Sequence, residues 1–115
     1  MASSLLPNYL RTHRKRLGLS QDDVAYLLGA ESGAKTSRYE RFARVPGFRT
    51  ALGCEAVFQR PIRQLFAGLY EQIEREVAMR ARKLVVTTDH MKPSEHTSRK
   101  RETLERIAAS KQKKQ

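Results

Sequence analysis

Residues 20–41, SQDDVAYLLGAESGAKTSRYER, decide how this chain reads. Ser20 suits a helix N-cap, because its hydroxyl can accept the free amides of the next turn. Asp22 and Asp23 follow it at the positive end of the helix dipole. Val24, Ala25, Leu27 and Leu28 supply an apolar face, and Gly29 ends the helix, since glycine adopts the left-handed conformation at little cost. A second helix is signalled after Ser32, a candidate cap, by the run Ala34-Lys35-Thr36-Ser37-Arg38-Tyr39-Glu40-Arg41. Thr36 and Tyr39, three apart, turn inward, which leaves Lys35, Ser37, Arg38 and Arg41 facing outward or sideways.

Two short helices that abut through a small residue, here Ala25, and are joined by a tight glycine turn make a helix-turn-helix. The flanking sequence supplies more helices. Upstream, residues 8 to about 17 form a basic helix started by Pro7 and Asn8. Leu10, His13 and Leu17 recur at helical spacing, Arg11, Arg14, Lys15 and Arg16 cover the other faces, and Gly18 stops it. Downstream, a loop from Phe42 to Gly47 holds Arg44. A fourth helix is predicted from about Thr50 to Phe58. Pro61 suits the first turn of a fifth, with Ile62, Leu65 and Phe66 inward. Residues 69–83 are a further helix whose apolar stripe is Leu69, Ile73, Val77 and Met79 or Arg80. Of these, Leu69 and Ile73 read as core, and Val77 and Met79 as surface that meets another subunit. Glu71 with Arg75, and Glu76 with Arg80, support it at four-residue spacing.

Charge narrows the partners. The 115 residues hold 23 Lys and Arg against 12 Asp and Glu, a net charge of +11. Such a surplus attracts polyanions, DNA and RNA alike, or an anionic membrane face. The surplus is heaviest in residues 80–115, with 11 basic and 4 acidic side chains. Within that basic tail, residues 99–110 suit a short helix with Leu104, Ile107 and Ala108 on one side. It lacks a core of its own and is expected to be frayed or ordered by a partner. Cys54 is alone among apolar neighbours and reads as a buried, inert thiol. His13, His90 and His96 have no metal-ligand spacing. No phosphate loop, nucleophile–base arrangement or catalytic acid pair is found. The chain therefore reads as a binding protein and not an enzyme, with no metal or cofactor. The first residues lack the pattern of a signal peptide, and the apolar runs are too short to span a membrane. A cytoplasmic, nucleoid-associated location is expected.

The sequence resembles the Cro and λ-repressor-like, or XRE-type, helix-turn-helix regulators of bacteria and phage. The matching residues are Leu10, Arg14, Gly18-Leu19-Ser20-Gln21, Val24-Ala25, Leu28-Gly29, Ser37-Arg38-Tyr39-Glu40-Arg41, Pro46, and Ile62 with Leu65-Phe66. The resemblance covers about residues 8–66 and implies a five-helix DNA-binding domain, bounded at 1–68. Composition and spacing add a packing or dimerisation helix at 69–83 and a basic tail at 84–115, which makes the whole chain all-α. It implies a homodimeric transcriptional regulator, a repressor by preference, on duplex operator DNA. Gln21 is implied as a phosphate contact, and residues 33–38 are implied to face base edges. Three departures stand out: a turn after Gly29 one residue longer than usual, Gly33 and Ala34 where long polar readers are common, and Phe42 in place of a glycine, expected to bury its ring.

The candidate DNA contacts are thus Gln21, Gly33, Ala34, Lys35, Ser37, Arg38 and Arg41, with Arg14 and Arg44 among the arginines flanking the groove. Lys35 and Arg38 are the foremost base readers, because arginine can bond guanine through two donors. Arg11, Arg14, Arg44 and Arg49 are candidates to hold phosphates, one or two of them serving instead as solubilising charge or pairing with Glu40 or Glu55. Two other readings stand beside this one: an antitoxin or adaptor whose C-terminal segment folds onto a protein partner, and a basic RNA-binding protein. The second lacks exposed aromatic pairs for stacking.

Overall fold

The computed structural model describes residues 5–112, with side chains through Ser110. Residues 1–4 and 113–115, including two lysines of the basic tail, lie outside the described residues. All regular structure among those described is helical: α1 (Leu10–Arg16), α2 (Gln21–Leu27), α3 (Ala34–Glu40), α4 (Phe48–Phe58), α5 (Ile62–Leu65), α6 (Ala67–Thr88) and α7 (Glu95–Gln112). The chain divides into two compact units, Met1–Tyr70 and Glu71–Gln115. No helix is long and apolar enough to cross a membrane among the described residues.

In the first unit, α1, α2 and α3 have seven residues each, too few to persist alone in water. They are held by burial. Leu10, Val24, Tyr39, Cys54, Phe58, Leu65 and Phe66 form one core, with Leu19, Leu28, Val57, Ile62 and Leu69 packed on it. Asn8 ties the ends of this core together. Its Oδ1 accepts the Leu10 amide at 3.1 Å, and its Nδ2 donates to the Tyr39 carbonyl at 2.9 Å. Burial, then the nearby Arg60 and Arg16, hold the His13 imidazole below its ordinary pKa.

The start of α2 is a capping box. The Ser20 hydroxyl accepts the Asp23 amide and the Asp23 carboxylate accepts the Ser20 amide, both at 2.9 Å. The Ser20 amide, and then its hydroxyl, hold the Asp23 carboxyl below its ordinary pKa. This contribution is present above the ordinary aspartate value and is lost as pH falls through the lowered one.

Helices α1, α2 and α3 end alike. The residue after each C-cap is left-handed: Gly18 at φ 76°, Gly29 at 81° and Phe42 at 65°. At each end two bonds close the turn: Gly18 to Lys15 with Leu19 to Arg14, Gly29 to Tyr26 with Ala30 to Ala25, and Phe42 to Tyr39 with Ala43 to Arg38, all 2.8–3.1 Å. This double closure is the Schellman motif, which favours glycine at the left-handed position. A side chain there costs about 1–2 kcal/mol. Phe42 carries that cost without the compensation expected of it, since its ring is 47% exposed and not buried. Phe42→Gly is therefore expected to raise the urea midpoint, a gain of up to about 1 kcal/mol after glycine's larger unfolded-state entropy is subtracted. A lower midpoint would show that the ring holds the loop.

Other expectations are corrected locally. Ser32 is not the N-cap of α3; that position is Gly33, and the Ser32 hydroxyl reaches only the Ala34 amide, at 3.4 Å. Leu17 is 51% exposed because α1 has already ended at Arg16. Leu27 is 55% exposed, about a quarter turn from the Val24, Ala25 and Leu28 line. Glu55 is exposed and not half-buried; its carboxylate accepts the Ile62 amide at 3.0 Å, capping α5.

In the second unit, α6 continues through Val85-Val86-Thr87-Thr88, where composition suggests a break. The Thr87 and Thr88 hydroxyls bond back to the Leu84 and Val85 carbonyls at 2.7 and 2.6 Å, which satisfies the last turn. α7 extends beyond the expected 99–110, and the Ser94 hydroxyl accepts the Thr97 amide at its start, at 3.1 Å. Arg101 joins the two helices by bonds to the Thr88 hydroxyl, at 3.2 Å, and to the Asp89 carboxylate. Ala78, Ala81, Thr88 and Ala108 are buried, whereas Ile73, expected in the core, is 46% exposed.

Candidate nucleic-acid interface

The inward side of α3 holds Thr36, Tyr39 and Glu40, all buried. The remaining arc is therefore turned to solvent, and it carries Ala34, Lys35, Ser37, Arg38 and Arg41. All of these are exposed except Ser37, which is half-buried. The Ser37 hydroxyl accepts a bond from Arg41 Nε at 3.2 Å, which settles that guanidinium along the helix. Among the described residues no carboxylate pairs with Lys35, Arg38, Arg41, Arg44 or Arg49. Among the described residues of the first unit, the ion pair is that of Arg14 with Glu40.

That pair is the joint of the unit. The Glu40 side chain is 3% exposed and that of Arg14 is 11% exposed. Arg14 Nε and Nη2 donate to the two Glu40 oxygens at 2.5 and 3.2 Å, and Nη1 donates to the Leu19 carbonyl at 3.0 Å. Gln21 Nε2 donates to Glu40 as well, at 3.2 Å. One carboxylate thus ties α1, α2 and α3 together. A buried carboxylate needs such partners, so Arg14, expected among the phosphate contacts, is committed to the interior. Gln21 commits one amide hydrogen and keeps the other.

Gly33, expected to face base edges, is buried instead. Its amide donates to the Asp22 carboxylate at 2.8 Å. A Cβ at this position would stand 2.7 Å from that carboxylate oxygen and 3.0 Å from the Gln21 backbone carbon. A side chain here would have to displace the Asp22 carboxylate that accepts the Gly33 amide and push the Gln21 backbone back by a few tenths of an ångström. The missing side chain is a packing requirement, and spacing along one helix cannot reveal it because the obstacle lies 11 residues earlier.

Beside α3 an open recess of about 820 Å³ is lined by Arg11, Gln21, Ser32, Ala34, Ser37 and Arg41, among others. The structure brings Arg14, Gln21, Gly33, Ala34, Ser37 and Arg41 to this recess. Lys35 and Arg38 stand outside its lining on the exposed arc, and Arg44 lies in the loop that follows α3. Sequence reading missed the apolar partners of that loop: Val45 is 67% exposed and Phe48 is 79% exposed, next to Arg44 and Arg49. Alternation of basic and apolar residues over 41–49 was the available signal. Cys54 is buried, and burial pushes its thiol up to about 11, far from a reactive thiolate at neutral pH.

Compared with known proteins, the chain matches no family model, no curated protein and no solved structure.

Proposed function

We propose that the first unit is a λ-repressor-like helix-turn-helix domain, and that the chain is a sequence-specific duplex-DNA-binding transcriptional regulator. The observation that carries this reading is the exposed arc of α3: Lys35, Arg38 and Arg41 keep their charge unpaired while the neighbouring Arg14 is neutralised. A helix that spends its carboxylate inward and leaves its cations outward suits a polyanionic groove. In this reading α3 enters the major groove. Lys35, Arg38 and Ser37 meet base edges, and Arg41, Arg44 and the free amide hydrogen of Gln21 meet phosphates. The Arg14–Glu40–Gln21 joint holds α3 at a fixed attitude, so that a single register on the duplex is favoured. Two subunits then read half-sites roughly 34–36 Å apart.

The test is selection from a random duplex pool, followed by binding of the enriched sequence across salt concentrations. One recurring motif is expected, with log affinity falling against log salt at a slope of about −3 to −4 for the four phosphates that Arg41 and Arg44 of two subunits neutralise. A pool that yields no motif, or structured RNA that outcompetes every duplex at equal salt, defeats the proposal.

A further inference from the structure

We infer that the face of α6 carrying Ile73, Val77 and Leu84 pairs with the same face of a second copy of this chain, the two helices running antiparallel. In the second unit these side chains are 46%, 44% and 46% exposed. Together with Arg80 they recur at steps of four, three and four residues, the 3.5-residue repeat of a helix-to-helix seam. The buried side of α6 carries Ala78, Ala81 and Thr88, so the seam runs along the edge of that side and its three apolar side chains are left about half exposed.

Charge selects the occupant. Glu76 and Lys83 flank the stripe on one side, one heptad apart. In a parallel pair, Arg80 would oppose Arg80 in the middle of the seam, while Glu76 and Lys83 would face Ala81 and Thr88. In an antiparallel pair, Ile73 lies on Leu84 of the second copy and Val77 on its Arg80. Glu76 then meets Lys83 of the second copy, and the two-fold axis repeats that contact. The charge pattern is therefore complementary to its own reverse, which a partner of another sequence has no need to match. Met79, expected at such a surface, is 45% exposed but sits across the helix from this stripe. The seam spans few side chains, so the pair belongs to the weak class of interfaces. The inference does not rest on the duplex-binding reading.

Sedimentation equilibrium of the full chain without DNA tests it. A reversible monomer–dimer equilibrium in the micromolar range is expected. Leu84→Lys removes the dimer, and circular dichroism checks that helicity is kept; Ile73→Lys serves where it is not. Glu76→Lys raises the dissociation constant roughly tenfold by setting two lysines together, and Glu76→Lys with Lys83→Glu brings it back to within about threefold. A monomer at every concentration, a dimer indifferent to both seam lysines, or a charge swap that does not restore association overturns the inference. Because no DNA is present, each of these results leaves the proposal for α3 standing.

Discussion

Glu40→Leu is expected to cost about 3–5 kcal/mol of folding stability, because it strands the largely buried Arg14 guanidinium with only the Leu19 carbonyl for a partner. Domains of this size are stable by about 5–15 kcal/mol, so the loss is a large fraction of the total. Three helices meet at Glu40, through Arg14 on α1 and Gln21 on α2. The variant is therefore expected to loosen their mutual packing as well as to lower the melting temperature. The partner experiment separates an unpaired charge from lost packing. Arg14→Met combined with Glu40→Leu removes both charges at once, and buried pairs replaced in this way commonly recover most of the loss. If Glu40→Leu alone melts within a degree or two of the parent, the pair is not the joint described here.

The second large effect concerns the free side of the same helix. Charge reversal at both Lys35 and Arg38 is expected to lower affinity for the selected duplex by roughly 100-fold or more, each position contributing about 1–3 kcal/mol when it reads a base. The salt slope, carried in this reading by Arg41 and Arg44, is expected to change less than the affinity, and preference for the selected sequence is expected to relax. Fluorescence anisotropy at several salt concentrations reads both quantities. Both side chains are exposed, so thermal unfolding is expected to be nearly unchanged, which separates this variant from Glu40→Leu. Unchanged affinity with an unchanged slope would remove α3 from the interface.

The two experiments probe the two sides of one seven-residue helix, and the two sides were unequally legible. The outward arc could be read from spacing alone. Thr36 and Tyr39 mark the buried line, and on so short a helix the cations must lie elsewhere. The same local logic found the Ser20 cap, the glycine stops at Gly18 and Gly29, and most of the core, including Leu10, Val24, Tyr39, Leu65 and Phe66. Residues 84–115 were legible in part: the helix expected at 99–110 lies inside α7, but the run of α6 to Thr88 and the full length of α7 were not read. Their charge suggested a loose tail, whereas α7 and the end of α6 are helical, held by the threonine back-bonds and by Arg101.

Capping, glycine stops and the period of apolar residues act over one or two turns, so the chain carried them openly in its residue order. The commitment of Arg14 to Glu40, the contact of Gly33 with the start of α2 and the exposure of Ile73 depend on groups brought near by folding. Burial and close approach decide them, because a carboxylate out of water must find a partner and two close helices crowd a Cβ between them. Neither demand exists until the helices have met, and only the tertiary structure could say where.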